Sequence, residues 1–536
     1  MGDDNPRKVT AIGAGEAHTL ALTGDGKVYS WGRGTFGRLG NASEADRVIP
    51  TQIDFDVNKI LAISAGAYHS IALADDGSVW SWGYNAYGQL GVDGDNSLVP
   101  YLVKMPISDD GSVTKNETKP KISSVKAGGM MSLAIDDVGC LWMWGNCPVQ
   151  DTSNEGGFSF APTPTPIRAW TFNNHSVIKV ACGSEHIVAL VNGGEGSELV
   201  CYSWGNNSHG QLGLGDTEAR PNPQMVEKFN TGSSWAPYKI ACGSFHTCVL
   251  AYRKTESVCW TFGRGDNGQL GHGTTKKSLY PEIVKGLPEN VILISVDCGL
   301  FHTSVVSSSG NVWAWGMENG LGLCPGATFT ESDGGDALTP RLINDVFGSK
   351  FPQPVQVACG AAHTVLLADS GYKLWSWGRG SSGVLGNGQD IDFFVPKAVL
   401  WPPPGEKGSV ADEPVVEMNT KEHIEIEKKL SSAMEEVNLL RSKLSIMERY
   451  ASILHGSIFG KPFEEDRDIP LSLRNSGTFD IAKDWEDMLE SSDRGKLIRL
   501  QMFYRNMIAG VEDKMMKQRI KEMIKEHFES SASTHH

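Results

Sequence analysis

The sequence predicts an all-β seven-bladed β-propeller followed by an α-helical C-terminal extension with a coiled coil. Three observations lead to this prediction: a sevenfold repeat, a proline-led strand after each repeat, and a heptad pattern near the C-terminus. A unit of roughly 50 residues cannot bury its apolar face alone, so it is typical of one blade in a closed array. The repeats begin at Gly15, Gly66, Gly128, Gly183, Gly243, Gly299 and Gly360, at intervals of 51 to 62 residues.

Each repeat has the two-residue period of β-strands. A short apolar run such as Thr19 to Leu22 ends at a turn containing glycine, which supplies the positive φ that a hairpin requires. The next strand carries aromatic-x-aromatic-Gly, and both rings share one face because strand side chains alternate. We therefore expect these rings to pack sheet against sheet. The pairs are Tyr29/Trp31, Trp80/Trp82, Trp142/Trp144, Tyr202/Trp204, Trp260/Phe262, Trp313/Trp315 and Trp375/Trp377.

A proline-led strand follows every repeat, as in Ile49-Pro50 and Val395-Pro396. Because proline lacks a backbone N–H, these segments are expected at the outer margin of each blade. The last of them, Val395 to Leu400, has no eighth repeat to join, and the first repeat has no such strand before Val9. The sequence therefore predicts that the two ends pair and close a ring without an open edge.

The repeat resembles that of the regulator of chromosome condensation family, and the resemblance covers about residues 8 to 404. It rests on Gly-x-x-His-[Thr/Ser], Trp-Gly and Gly-Gln-Leu-Gly in seven periodic copies, and the C-terminal extension makes the chain most similar to a plant-like member. The resemblance implies a seven-bladed propeller. The family includes the exchange factor for the Ran GTPase, the plant UV-B photoreceptor and many interaction modules, so membership alone selects no function.

Charge and composition exclude several classes of function. The net charge of −15 is distributed as 28 − 38 = −10 before Gly405 and 20 − 25 = −5 from there on, so general nucleic-acid binding is not expected. No stretch of about 20 apolar residues indicates a membrane span, and the start of the chain is polar. We expect an intracellular protein, cytoplasmic and/or nuclear.

Histidine and cysteine recur at fixed repeat positions. The histidines are interpreted as side chains that hold their own blades together by hydrogen bonds, rather than as a ring of ligands, because one per blade makes no compact metal site. The cysteines are interpreted as small buried residues and not as a disulfide framework. No catalytic, cofactor or metal site is expected. The positions are His18, His69, His186, His246, His302 and His363, and Cys182, Cys242, Cys298 and Cys359.

Four arginines are candidate partner-binding residues: Arg33, Arg38, Arg264 and Arg379. Repeats one and seven are neighbours in a closed ring, so Arg33 and Arg379 are expected to lie near each other with Arg38 close by. Arginines on an acidic protein can bind a carboxylate-rich partner bidentately. The alternative is a solvated rim of weak intramolecular pairs.

The third repeat breaks from Asn146 through Pro166, and Phe158 and Phe160 form its apolar tip. By resemblance to the Ran exchange factor, which carries an insertion at this place, the loop is a candidate probe for a small GTPase. A tolerated surface insertion is equally consistent with its composition.

Light sensing is rejected at the level of the sequence. In the UV-B receptor the sensing tryptophans stand between the repeat glycine and histidine, and none of these positions is tryptophan here. The seven pairs are Glu16-Ala17, Ala67-Tyr68, Gly129-Met130, Ser184-Glu185, Ser244-Phe245, Leu300-Phe301 and Ala361-Ala362.

The chain beyond the propeller (1–404) is divided into a linker (405–420), a coiled-coil helix (421–455), a loop (456–480) and a helical region (481–530). An a/d pattern over about four heptads predicts the coiled coil, which could form a homodimer, bind a partner or fold back on the propeller. The candidate seam is Ile426, Leu430, Val437, Leu440, Leu444, Met447 and Leu454.

The function favoured by these observations is a non-catalytic protein–protein interaction scaffold whose helical tail dimerises or recruits a partner. The alternative is a guanine-nucleotide exchange factor for a small Ran-like GTPase, which would act by shifting conformational populations without covalent chemistry.

Overall fold

The computed structural model describes residues 5–106, 120–148, 158–167, 172, 175–193, 198–254, 256–317, 336–345 and 348–403. Their strands form seven antiparallel four-stranded sheets, which confirms the seven-bladed propeller. Blade 1 contains β1 (Val9–Ala14), β2 (His18–Thr23), β3 (Val28–Gly32) and β4 (Arg47–Ile53); blade 2 contains β5 (Ile60–Ala65), β6 (His69–Ala74), β7 (Val79–Gly83) and β8 (Ser97–Leu102); blade 3 contains β9 (Ile122–Ala127), β10 (Met131–Asp136), β11 (Leu141–Pro148) and β12 (Phe158–Pro166).

The remaining blades follow the same order, with the first strand of each innermost because it lines the central channel. Blade 4 contains β13 (Val177–Cys182), β14 (His186–Asn192), β15 (Leu199–Gly205) and β16 (Arg220–Met225); blade 5 contains β17 (Ala236–Cys242), β18 (His246–Arg253), β19 (Glu256–Gly263) and β20 (Ser278–Ile283); blade 6 contains β21 (Leu293–Cys298), β22 (His302–Ser307), β23 (Val312–Gly316) and β24 (Ala337–Ile343); blade 7 contains β25 (Gln356–Cys359), β26 (His363–Ala368), β27 (Lys373–Gly378) and β28 (Phe393–Ala398).

Helical structure is described at four short 3-10 turns, which are Thr35–Gly37, Glu227–Phe229, Asp369–Gly371 and Ser381–Gly383. In the ranges given above, no helix has the length and apolarity needed to cross a membrane.

The predicted pairing of the two chain ends is wrong, because every blade is one continuous segment and β28 pairs with β27 of its own blade. The ring closes instead by packing blade 7 against blade 1. The Gln356 side chain accepts the Ile12 N–H at 3.1 Å and donates to the Ile12 carbonyl at 2.9 Å. The Trp401 indole donates to the Arg7 carbonyl at 3.0 Å and stands edge-on to Tyr29. Two backbone hydrogen bonds add to this junction, from the Gly388 N–H to the Val48 carbonyl at 2.9 Å and from the Ala361 N–H to the Glu16 carbonyl at 3.3 Å, so closure needs no exchanged strand.

The strands that carry these prolines do lie at the outer margins of the blades, as predicted. The prolines do not begin them, however, since Pro50 is the fourth residue of β4 and Pro166 is the last residue of β12. Each of these strands is the last strand of its sheet and has one unpaired edge, where a missing N–H costs no ladder hydrogen bond. These strands are β4, β8, β12, β16, β20, β24 and β28.

The hydrophobic core lies between neighbouring blades. The second ring of each aromatic pair is fully buried, as Trp31, Trp82 and Phe262 illustrate, and it packs against apolar residues of an adjacent sheet. The predicted packing of sheet against sheet is therefore confirmed. The glycine after each ring is fixed by geometry: Gly32 has φ +106°, and a Cβ there would lie 2.6 Å from the Ala17 carbonyl oxygen.

Candidate partner-binding face

The candidate arginines lie at one end of the propeller, which we call the loop face. The loops between the first and second strands and between the third and fourth strands of every blade meet there, because consecutive strands are antiparallel. Arg33, Arg264 and Arg379 each follow the glycine that ends the third strand of their blades. The loop face is therefore built from connecting segments that a rigid frame of strands holds in place.

The repeat histidines link neighbouring blades at six of the seven junctions, the exception being the junction of blades 3 and 4, where Met131 replaces histidine. All six are buried, and each Nε2 lies 2.9 to 3.2 Å from a Ser or Thr hydroxyl of the following blade. The expectation that they bond within their own blades is thus corrected. Because the Ser70 hydroxyl donates to the Arg38 carbonyl at 3.0 Å, it accepts a hydrogen bond from His18, which fixes the Nε2–H tautomer there.

Burial keeps these imidazoles neutral. It lowers the pKa of His69 and His302 to about 4 and that of His186, His246 and His363 to about 3. The pKa of His18 is held well below its usual range by burial and by the nearby Arg38 guanidinium. A buried, paired and neutral ring has a structural role.

Arg33 lies at the junction of blades 1 and 7, where its Nε donates to the Ser382 hydroxyl at 3.2 Å. Arg379 occupies the equivalent position in blade 7 and is exposed. Arg38 differs, because its side chain is 1% exposed and its guanidinium donates to Glu16 at 3.4 Å. The expectation that Arg38 offers its charge to a partner is therefore corrected: in this structure it supports the face from beneath.

Sequence reasoning missed the aromatic side chains around Arg38. The guanidinium carbon lies 4.8 Å from the Tyr68 ring centroid and 5.7 Å from that of Phe36, and Tyr84 stands 4.7 Å from Phe36. All three rings are half-buried, and burial with the neighbouring Glu16 raises the pKa of Tyr68. We call Phe36, Tyr68 and Tyr84 the blade 1–2 aromatic cluster. Such half-exposed rings on a fixed frame are typical anchors for a protein partner.

Arg264 is the centre of a second cluster. Its guanidinium carbon lies 5.0 Å from the Phe301 ring centroid and 5.9 Å from that of Phe245, and its Nε donates to Asp266 at 2.8 Å. The His209 ring lies 5.3 Å from Phe245, and burial followed by the Arg264 charge lowers the pKa of His209. We call the side chains of Arg264, Phe245, Phe301 and His209 the blade 5 cluster. Phe245 and Phe301 both stand between the repeat glycine and the repeat histidine. This shared position is the sequence signal that could have identified the cluster.

Phe158 and Phe160 do not lie in an irregular loop. Their backbones belong to β12, where Phe158 is opposite Pro148 and Phe160 is opposite Asn146. The description of this segment as a loop tip is corrected to the start of the outer strand of blade 3. Cys147, on the facing strand, is buried among residues of blades 3 and 4.

The inner strands enclose a central channel of about 850 Å³. Polar groups connect neighbouring blades along its wall: the Cys359 N–H donates to Asp297 at 2.8 Å, and Lys239 donates to the Ile294 carbonyl. Burial raises the pKa of Asp297. The nine cysteines that the structure describes are free, and its residues contain no group of His, Cys, Asp and Glu able to hold a metal ion.

The predicted linker, coiled coil and helical region, with the seam from Ile426 to Leu454, lie outside the described residues.

Comparison with known proteins agrees with the repeat and the fold. The model of the RCC1-like domain matches residues 2–236 and 108–412. The chain belongs to the RCC1-like family. The plant Ultraviolet-B receptor UVR8 of Arabidopsis thaliana is 30% identical over 402 residues, which cover 74% of this chain and 82% of that receptor.

Other RCC1-like relatives have different names and lengths. The E3 ubiquitin-protein ligase HERC2 of Mus musculus is 32% identical over 362 residues, which are 67% of this chain but 7% of HERC2. The structure of yeast RCC1 (Prp20) bound to Kap60 aligns with a TM-score of 0.56 and 26% identity, over 70% of this chain and 83% of that one. The family thus places one propeller in proteins of several kinds.

Proposed function

We propose that this RCC1-like protein is a non-catalytic interaction scaffold whose loop face binds a partner protein. The observation that carries the proposal is the pair of arginine–aromatic clusters on that face. Arg38 is buried beneath Phe36 and Tyr68, and Arg264 lies between Phe245 and Phe301, so each cluster presents preordered rings around a cation. Rings and guanidinium groups with little freedom left to lose are favoured at the centres of protein interfaces.

The absence of a reactive site in the described residues supports the same proposal. The six buried histidines are engaged with hydroxyl groups, and partial burial raises the pKa of the half-buried thiols Cys140 and Cys182 to about 11 and about 12. A thiol with a raised pKa is a poor nucleophile near neutral pH.

The test is capture of partner proteins by the full chain from a cell lysate, compared among matched variants. Tyr84→Ser with Phe301→Ser removes one half-buried ring from each cluster, and Tyr252→Ser with Tyr372→Ser removes two exposed rings from the opposite end. We expect the first double variant to lose specific partners that the second retains. Equal capture by both variants and the wild type would place the partner elsewhere and overturn the proposed use of this face.

A second candidate is guanine-nucleotide exchange on a Ran-like GTPase. It is favoured by the strands of blade 3, which continue past the Trp-Gly position as far as the pair Pro148 and Phe158. The likeness to yeast RCC1 adds to this candidate. A nucleotide-release assay on Ran and related GTPases tests it: acceleration that is lost with Phe158→Ala and Phe160→Ala supports exchange, and no acceleration by the full chain removes it.

UV-B reception is not proposed, despite the likeness to UVR8. The seven residue pairs between glycine and histidine contain no tryptophan, and the blade 5 cluster has phenylalanine rings, which absorb little UV-B light. Homodimerisation through residues 421–455 is proposed on the heptad pattern alone.

A further inference from the structure

Blade 5 contains a buried hydrogen-bond donor that its own blade does not satisfy. In blade 4 the Gln211 amide donates to the Asn206 side chain at 3.1 Å. The equivalent residues of blade 5 are Gln269 and Arg264, so arginine stands where blade 4 has the acceptor. Gln269 is fully buried, and its Nε2 has no hydrogen-bond partner. A buried donor without an acceptor is destabilising, because the group gives up its hydrogen bond to water and gains none in return.

Arg264 adds further donors at the repeat position where blade 4 has the acceptor Asn206. Of its five N–H groups, only the one on Nε bonds within the described residues, to Asp266, and its side chain is 28% exposed. Phe245 and Phe301 flank the guanidinium and hold its plane in position. Donors thus outnumber acceptors between two aromatic rings, which is the arrangement that a carboxylate fits.

The loop that carries Arg264 is also the one positively charged connection between third and fourth strands. Residues 264–277 contain Arg264, Lys276, Lys277 and Asp266, which gives 3 − 1 = +2. The corresponding loops of the other six blades sum to 0 or below, within a chain of net charge −15. Lys276 and Lys277 are both exposed, so they extend the positive surface outward from the blade 5 cluster.

From these three observations we propose that the blade 5 cluster, with Gln269 and the two lysines, is a docking site for an acidic linear segment of a partner protein. A Glu or Asp side chain of that segment packs its methylene groups against the outer edges of Phe245 and Phe301. Its carboxylate binds Arg264 bidentately and accepts the Gln269 amide hydrogen bond. The lysines attract further acidic residues of the segment. This inference deepens the proposed scaffold function and depends on it.

The experiment measures fluorescence anisotropy of a short fluorescein-labelled peptide of alternating Glu and Gly with the full chain, beside the same peptide with Gln in place of Glu. We expect binding of the Glu peptide that weakens with added salt, and none of the Gln peptide. Arg264→Asn introduces the residue of blade 4, so it supplies Gln269 with an acceptor and leaves the fold intact; it should weaken binding about tenfold or more. Arg264→Lys should be intermediate, because the charge remains without the fork.

A matched control is Arg220→Asn, which removes an arginine of blade 4 that is already paired with Asp216 and Glu218. It should bind the Glu peptide as the wild type does. Absence of binding by the wild type, which would include occupation of the site by an acidic segment of this chain, overturns the inference, as does equal loss in Arg220→Asn and Arg264→Asn. If partner capture persists while the peptide fails, the docking site alone is refuted; if the peptide binds while capture fails, the scaffold function is refuted.

Discussion

Acidification is expected to destabilise the propeller through its six repeat histidines. In the folded chain burial holds their pKa values far below the ordinary value of 6.5, for example to about 4 for His69 and about 3 for His246. In the unfolded chain their pKa is about 6.5. The unfolded chain therefore binds more protons below about pH 7, so the stability is complete above that pH and is lost as the pH falls toward the folded pKa values.

The magnitude follows from proton linkage. Between about pH 7 and pH 5 each histidine with a folded pKa of 4 or below loses about 2 kcal/mol of stability, since one pH unit corresponds to about 1.4 kcal/mol. The five histidines other than His18 lose about 9 kcal/mol together, and His18, whose pKa is also lowered by burial, adds to this loss. The total is comparable with the whole free energy of unfolding of an ordinary domain. The propeller is thus expected to unfold near pH 5.

The assay is urea unfolding of the full chain at several pH values, followed by tryptophan fluorescence, to which all tryptophans except Trp485 contribute from within residues 1–404. The informative variant is His246→Met with Thr303→Ile. It copies the junction of blades 3 and 4, where Met131 and Ile187 occupy these two positions and are fully buried. Because one titrating ring is removed, the decrease in the free energy of unfolding between about pH 7 and pH 5 should be smaller by about 2 kcal/mol than in the wild type.

A pH dependence that is unchanged in this double variant would refute the reasoning, whatever its stability at neutral pH. So would wild-type stability that stays constant down to about pH 5, because the folded chain would then bind as many protons as the unfolded chain.

Three further predictions follow from the structure. Gly32→Ala should lower the free energy of unfolding by about 2 kcal/mol or more in urea, because φ is +106° and the new Cβ would meet the Ala17 carbonyl; wild-type stability would contradict this. Arg38→Gln introduces the residue that blades 2, 4 and 5 have at this position. It should lower the free energy of unfolding in urea by about 2 kcal/mol, because it removes the Glu16 ion pair and the contact with the Tyr68 ring. Deletion of 421–455 should halve the mass measured by light scattering, and an unchanged mass would defeat the dimer.

The regular part of the fold could be predicted from the sequence because every repeat contains its own strand period, its own turn residues and its own edge strand. The closure could not, since the expectation of an exchanged strand rested on counting proline-led segments alone. The structure instead joins Gln356 to Ile12 and Trp401 to Arg7. Such contacts form between residues more than 340 positions apart, and no local pattern encodes them.

The partner-binding role of the candidate arginines stays a prediction. Arg33, Arg264 and Arg379 share one repeat position, and the structure places that position after the third strand of each blade, so these residues lie at one end of the propeller. The sequence pattern alone did not show which of the four arginine side chains are buried. Arg38 stands where three other blades have glutamine, at a position that is buried in all of them, and this equivalence would have indicated an interior role.

Some residues that depart from the repeat change together with the residue they contact, and others change alone. At the junction of blades 3 and 4, Met131 replaces histidine and Ile187 replaces the hydroxyl, and both join one apolar cluster. Replacing both partners leaves no polar group unpaired and is nearly neutral, whereas replacing one costs the desolvation of the other. In blade 5 only one partner has changed, since Arg264 removes the acceptor and the Gln269 amide remains buried and unpaired. The compensated departure therefore indicates packing, whereas the uncompensated one is an observation on which the proposed acidic docking site rests.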